Sequence, residues 1–180
     1  MVYVFLAPGF EETEALAPTD IMRRAKIEVK TVGVGGDTIT GSHGITVKTD
    51  CVADEISPSD DIEMIVLPGG MPGTLNLEAD SQVSRFINYC SQNGKFISAI
   101  CAAPSILGHK GILNGKKATC FPGFEKDLTG ACIVDKLCVN DGLITTAKGA
   151  GASLEFGLTL VSLLRGEETS LAIREALQCK

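Results

Sequence analysis

Phe96-Ile97-Ser98-Ala99-Ile100-Cys101-Ala102-Ala103-Pro104 is the stretch that decides the fold. A short apolar run stops at a cysteine, and small residues then lead into a helical pattern. Proline is tolerated only in the first turn of a helix, so Pro104 marks a helix start and Cys101 falls at or next to the cap position. The run is therefore a strand, and the cysteine stands at a strand-to-helix elbow. Unpaired backbone N–H groups and the positive end of a helix dipole favour a thiolate there over a thiol.

Working outward, the same strand-to-helix alternation recurs on both sides. Toward the N-terminus, residues 1–7 are a continuous apolar run of the kind covered on both faces, ended by Pro8-Gly9. Residues 11–26 carry Ala15, Leu16, Ile21, Met22 and Ala25 at helical spacing, with Pro18 expected to shift or bend the helix. Residues 27–34 read as a second strand. Thr38-Ile39-Thr40 and Ile45-Thr46-Val47 form a hairpin around Gly41-Ser42-His43-Gly44. Residues 62–67 are a further buried strand, closed by Pro68-Gly69-Gly70-Met71-Pro72-Gly73, and residues 81–93 form an amphipathic helix stopped by Gly94.

Beyond the elbow, a helix runs to about Leu107. Residues 117–120, 132–134, 137–139 and 143–146 read as short strands, with Asp141-Gly142 turning the last pair. A strongly apolar helix covers about 152–164, Gly166 stops it, and residues 167–177 form a final amphipathic helix. Strands alternating with helices predict a mostly parallel, doubly wound α/β sheet, flavodoxin-like in type, over a single domain of 180 residues. In such a sheet the loops at the carboxyl ends of the strands gather on one edge, where ligands bind. Residues 8–14, 68–73 and the Cys101-Ala102 elbow share that edge.

The totals exclude several classes. With 16 Lys and Arg against 22 Asp and Glu, the chain carries a net charge of −6 and no basic stripe, so no nucleic-acid partner is expected. No apolar run approaches about 18 residues, and the chain opens without a basic leader, which predicts no membrane partner and a cytoplasmic location. The seven cysteines are odd in number and lack CxxC spacing, as expected of free thiols in a reducing compartment. Cys132 and Cys138 are close in sequence without further ligands beside them, so no metal is expected.

Cys101 is thus the candidate nucleophile. Glu11, Glu12 and Glu14 are the candidate acids, because a carboxyl desolvated beside a thiol takes a raised pKa and can move a proton. Periodicity does not choose among the three, although a solvated helix start accounts for Glu11 and extends to Glu12. His43 in the hairpin and His109 two helical turns past Cys101 read as surface or packing residues. The acidic first loop lacks the donors a phosphate requires, and the glycine loop at 149–153 is explained equally by close packing or by a small anion.

The segments Pro8-Gly9-Phe10-Glu11-Glu12-Thr13-Glu14, Leu67-Pro68-Gly69-Gly70, Ala99-Ile100-Cys101-Ala102-Ala103-Pro104 and residues 149–156 resemble, in order and at suitable spacing, the motifs of the ThiJ/PfpI superfamily. The likeness covers residues 1 to about 165 and is closest to the branch of the parkinsonism-associated deglycase and its bacterial relatives. It implies a class I glutamine amidotransferase-like fold, Cys101 as the reactive nucleophile and Glu14 as the protonated carboxyl bonded to it. It further implies an oxyanion site from the N–H groups of Gly70 and Ala102, no cofactor, and a homodimer with the first helix at the interface. The implied activity is of glyoxalase or deglycase type on methylglyoxal-like dicarbonyls or their adducts. A stress sensor or chaperone acting through oxidation of Cys101 is the alternative, and a thiamine-pathway role is suggested by the superfamily name alone. Three positions depart from the pattern. Ala102 stands where the peptidase branch has histidine, so peptidase activity is not expected. Phe121 stands where some relatives have a histidine near the thiol. His43 replaces an arginine of a possible anion pocket, whose partner is matched by Arg24.

Overall fold

The structure, a computed structural model, describes residues 1–179. In chain order the elements are β1 (Val2–Leu6), α1 (Glu12–Arg24), β2 (Val29–Gly33), β3 (Thr38–Thr40), β4 (Thr46–Lys48), β5 (Cys51–Val52), β6 (Met64–Leu67), α2 (Gly73–Ala79), α3 (Ser81–Gln92) and β7 (Phe96–Ile100). They continue with α4 (Pro104–His109), β8 (Lys117–Ala118), β9 (Cys132–Ile133), β10 (Cys138–Asp141), β11 (Ile144–Ala147), α5 (Ser153–Arg165) and α6 (Glu167–Ala176).

The main sheet has the order β10-β11-β7-β6-β1-β2-β5. All pairings in it are parallel except β10 with β11, where Gly142 turns the chain with a positive φ. The central order β2-β1-β6-β7-β11 is the flavodoxin order, as expected, and it puts the topological switch point between β1 and β6.

Parallel strands are buried on both faces, which is why β1 is apolar at every position. Pleating then divides it. Val2, Val4 and Leu6 join the layer that α1 and α5 cover, whereas Tyr3, Phe5 and Ala7 join the opposite layer with Val83, Phe86 and Ile87 of α3. Tyr3 and Phe5 meet Phe86 edge-on, with ring centroids 5.6 and 5.1 Å away. The helix pair α1 and α5 approaches closely at Gly157, where a Cβ would lie 2.9 Å from Cα of Pro18 and 2.8 Å from Ile21. The helix α1 continues through Pro18, and the Thr19 hydroxyl donates to the carbonyl of Ala15 at 2.7 Å.

Some local expectations shift. The segments at 117–120 and 132–134 shorten to β8 and β9, which pair with each other in a separate two-stranded parallel sheet. The strand β5 and the seven-residue α2 were not expected; both are too short to show a period. The hairpin β3–β4 forms as expected and sits on the carboxyl edge of the main sheet, where Gly9 N–H donates to Thr40 O and Ser42 N–H to Phe10 O, both at 2.8 Å.

Candidate active site at the switch-point edge

Three loops build the site. The loop after β1 leads into α1 and brings Glu14, the loop after β6 brings Gly69 and Gly70, and the elbow after β7 brings Cys101 and Ala102. Cys101 adopts a φ of +66°, a left-handed conformation costing a non-glycine residue about 1–2 kcal/mol. The cost is met by hydrogen bonds on both sides: Cys101 N–H donates to Ala147 O at 2.9 Å, and Phe121 N–H donates to Cys101 O at 2.8 Å. The cap of the short α4 is Ala103, so the cysteine lies two residues ahead of it rather than at it. Individual N–H groups therefore take the part expected of the helix terminus. Those of Gly70 and Ala102 hydrogen-bond the sulfur.

Glu14 is 1% exposed, and its Oε2 accepts the Gly69 N–H at 2.9 Å while the carboxyl is hydrogen-bonded to Cys101. Gly69 has no substitute there. A Cβ on it would lie 2.6 Å from Cβ of Cys101 and 2.7 Å from Oε2 of Glu14. Gly70, with a φ of +90°, follows it and sets its own N–H on the sulfur.

The electrostatics correct the expectation of a thiolate stabilised by a helix end. Burial pushes the Cys101 thiol up, and the charge and hydrogen bond of Glu14 add to it, to about 12, against the lowering effect of the two N–H donors. Burial likewise pushes Glu14 up, to about 7, with its hydrogen bonds from Cys101 and Gly69 opposing. Each anion disfavours the other, so above about pH 7 the pair holds one proton between sulfur and carboxyl. The thiolate is reached when that proton sits on Glu14.

Glu12 differs from the solvated helix start expected of it. It is 5% exposed, and its Oε1 accepts the N–H groups of His43 at 2.9 Å and Ile45 at 3.2 Å. Burial alone would raise its pKa, but these hydrogen bonds, its own N–H and the His43 ring hold it below the usual value. His43 is raised by its hydrogen bond to Glu12 and by the charges of Glu11 and Glu12. The donor atoms of Glu11, Glu12 and His43 lie within 4.8 Å of one another, yet those of Glu12 and His43 are already engaged in fastening the hairpin to α1.

The suggested anion pocket is not assembled within one chain. His43 faces two carboxylates, at 3.4 and 3.1 Å, beside the first turn of α1. Arg24 sits at the other end of that helix, about 18 Å away at 1.5 Å per residue, and pairs with Asp20 at 2.7 Å. His109 pairs with Glu78 at 2.6 Å, as expected of a surface histidine.

Sequence reasoning missed the part of Gly69 as donor to the acid. Its signal was present in the Gly69-Gly70 pair, since two adjacent glycines at a strand end let backbone N–H groups point into a site, but the sequence does not say which atom each N–H meets.

Residues 1–163 match the DJ-1/PfpI family. The chain is 33% identical over 177 residues to Protein dj-1beta of Drosophila melanogaster, covering 97% of this chain and 94% of that protein. It is 30% identical over 167 residues to a deglycase of Pyrococcus abyssi, covering 91% of this chain and 99% of that one. The solved structure of oxidized Toxoplasma gondii DJ-1 superposes with a TM-score of 0.94 at 29% identity, over 98% of this chain and 97% of that one. Among the described residues no helix is long and apolar enough to cross a membrane. With its flavodoxin-order sheet and a cysteine and glutamate facing each other at the switch-point edge, the chain belongs to the DJ-1/PfpI family.

Proposed function

We propose that this protein is a cysteine-dependent enzyme of glyoxalase or deglycase type, acting on methylglyoxal-like dicarbonyls or on their early adducts with amines and thiols. The observation that carries the reading is the buried Glu14 carboxyl, raised to about 7 and hydrogen-bonded to Cys101, with Gly70 and Ala102 N–H groups on the same sulfur. With the shared proton on Glu14, the thiolate adds to the aldehyde carbon of methylglyoxal. The new C–S bond leaves an alkoxide, which takes a proton to give a hemithioacetal. Glu14, as carboxylate, then removes the hydrogen from that carbon and returns it to the neighbouring carbon, which converts the hemithioacetal to a lactoyl thioester. Water cleaves the thioester, releasing lactate and the thiol. Methylglyoxal and one water become lactate, and no external oxidant or reductant is consumed. The similarity to the Pyrococcus abyssi deglycase supports the same class.

Lactate formation from methylglyoxal by Cys101→Ser and Glu14→Gln tests this reading. Loss in both variants is expected; undiminished formation in either overturns the mechanism. A second reading, oxidation of Cys101 as a stress signal, is favoured by the same donors, which stabilise a sulfinate as they stabilise a thiolate. The neighbouring Toxoplasma gondii structure is of an oxidized form. A homodimer through α1 and a cytoplasmic setting belong to this proposal, the latter because all seven cysteines are free thiols. Sedimentation of the purified protein checks the dimer.

A further inference from the structure

Next to the elbow, on the side of Phe121, lies a groove lined mostly by apolar and small residues. Phe121 is 48% exposed although its N–H is fixed to the carbonyl of Cys101 at 2.8 Å. Its ring lies against Gly149: a Cβ on Gly149 would be 3.2 Å from Cδ2 of Phe121 and 3.8 Å from Oε1 of Glu14. Gly149, at one end of the groove's floor, thus lies between the Phe121 ring and the Glu14 carboxyl, close enough that a side chain there would meet both. The groove holds about 330 Å³, and Phe121, Pro122 and Leu137, the last 57% exposed, line it together with residues 148–152. No floor side chain is larger than a methyl group, so a flat ring can lie on the peptide planes with the Phe121 ring alongside. Lys148 is the charged group at the rim, and its amine is tied to Asp135.

The geometry points to Phe121 as the residue that sets substrate choice, by building with Gly149–Ala152 and Leu137 a subsite for an aromatic or bulky apolar substituent on the α-oxoaldehyde. This rests on the reading of Cys101 and Glu14 as the aldehyde-processing pair. Phenylglyoxal, converted to mandelate by the same bond changes, is the probe, and methylglyoxal is its small counterpart. The expected ratio of kcat/KM, phenylglyoxal over methylglyoxal, is about tenfold or more in the natural protein, the size a hydrophobic pocket supplies. Phe121→Ala is expected to lower the ratio about tenfold, and Phe121→Leu, which keeps apolar bulk, about threefold. An unchanged ratio in Phe121→Ala overturns the assignment, as does a ratio in Phe121→Leu below that in Phe121→Ala.

Calorimetric binding of mandelate and lactate to Cys101→Ser separates this inference from the proposed reaction. Mandelate binding about tenfold tighter than lactate, with the difference lost on adding Phe121→Ala, supports the subsite even where turnover fails. Equal affinities overturn it even where turnover succeeds.

Discussion

Glu12 and Glu14 are two residues apart on one turn of α1, and both are buried. Glu12 is held below its usual pKa, whereas Glu14 is pushed up to about 7. Burial acts on both in the same direction, so the partners decide. Glu12 meets two hairpin N–H groups and a histidine, all of which favour the anion. Glu14 meets one N–H group and a thiol that competes for the same proton. One carboxylate is a fastener and the other shares a proton with a thiol, and the sequence writes them with the same letter.

The comparison breaks first on activity. Glu14→Gln and Cys101→Ser are expected to lower kcat/KM for methylglyoxal on the order of 10³-fold or more. Glu12→Gln should change it less than about threefold, and equal losses at 12 and 14 would erase the distinction.

Stability reverses the ranking. Glu12→Ala leaves the hairpin N–H groups without their acceptor and is expected to cost about 2–3 kcal/mol in urea unfolding. Glu14 contributes in the opposite sense with pH. Its folded pKa lies above its unfolded value, so its stabilisation is complete below pH 4.5 and is lost as pH rises toward about 7, by roughly 3 kcal/mol in all. Glu14→Gln removes that decline, and the stability difference between variant and natural protein, followed from pH 4.5 to 8, measures it.

Thiol chemistry sharpens the contrast further. Alkylation of Cys101 by iodoacetamide is expected to rise through the first proton loss of the pair, near pH 7, and Glu14→Gln should move that inflection at least one unit upward. Mild peroxide followed by peptide mass spectrometry gives the smallest effect, a several-fold preference for Cys101 over Cys90. Burial raises Cys90 to about 12 without a carboxyl partner, so its thiol has no route to the anion.

Much of this was legible in the order of residues. Strands covered on both faces leave uninterrupted apolar runs, and the residues that stop them, Pro8, Pro68 and Cys101, mark the edge where the site forms. The elbow, the hairpin and the Gly69-Gly70 pair were visible as local conformational demands. The choice among Glu11, Glu12 and Glu14 was not, because it depends on what the turn between β3 and β4, the loop after β6 and the elbow bring to each carboxyl across more than thirty residues. The sign of the Cys101 shift was hidden for the same reason. A helix start is local, but the burial that overrides it, and the Glu14 charge that adds to that burial, come from segments distant in sequence. Phe121 stood out in the sequence only as a departure from relatives. That it leans on Gly149 depends on how the segment after β8 folds back over the elbow.

The hydrogen bond from Cys101 N–H to Ala147 O joins the elbow to the strand of the main sheet that comes last in the chain. During synthesis, Glu14, Gly69 and Cys101 all leave the ribosome well before Ala147 does. Until β11 docks, the elbow keeps the hydrogen bond from Phe121 N–H but lacks the one on its other side, so its left-handed turn is only half secured. The elbow's geometry is therefore completed late, so under the proposed reaction the appearance of turnover during refolding is expected to follow closure of the sheet.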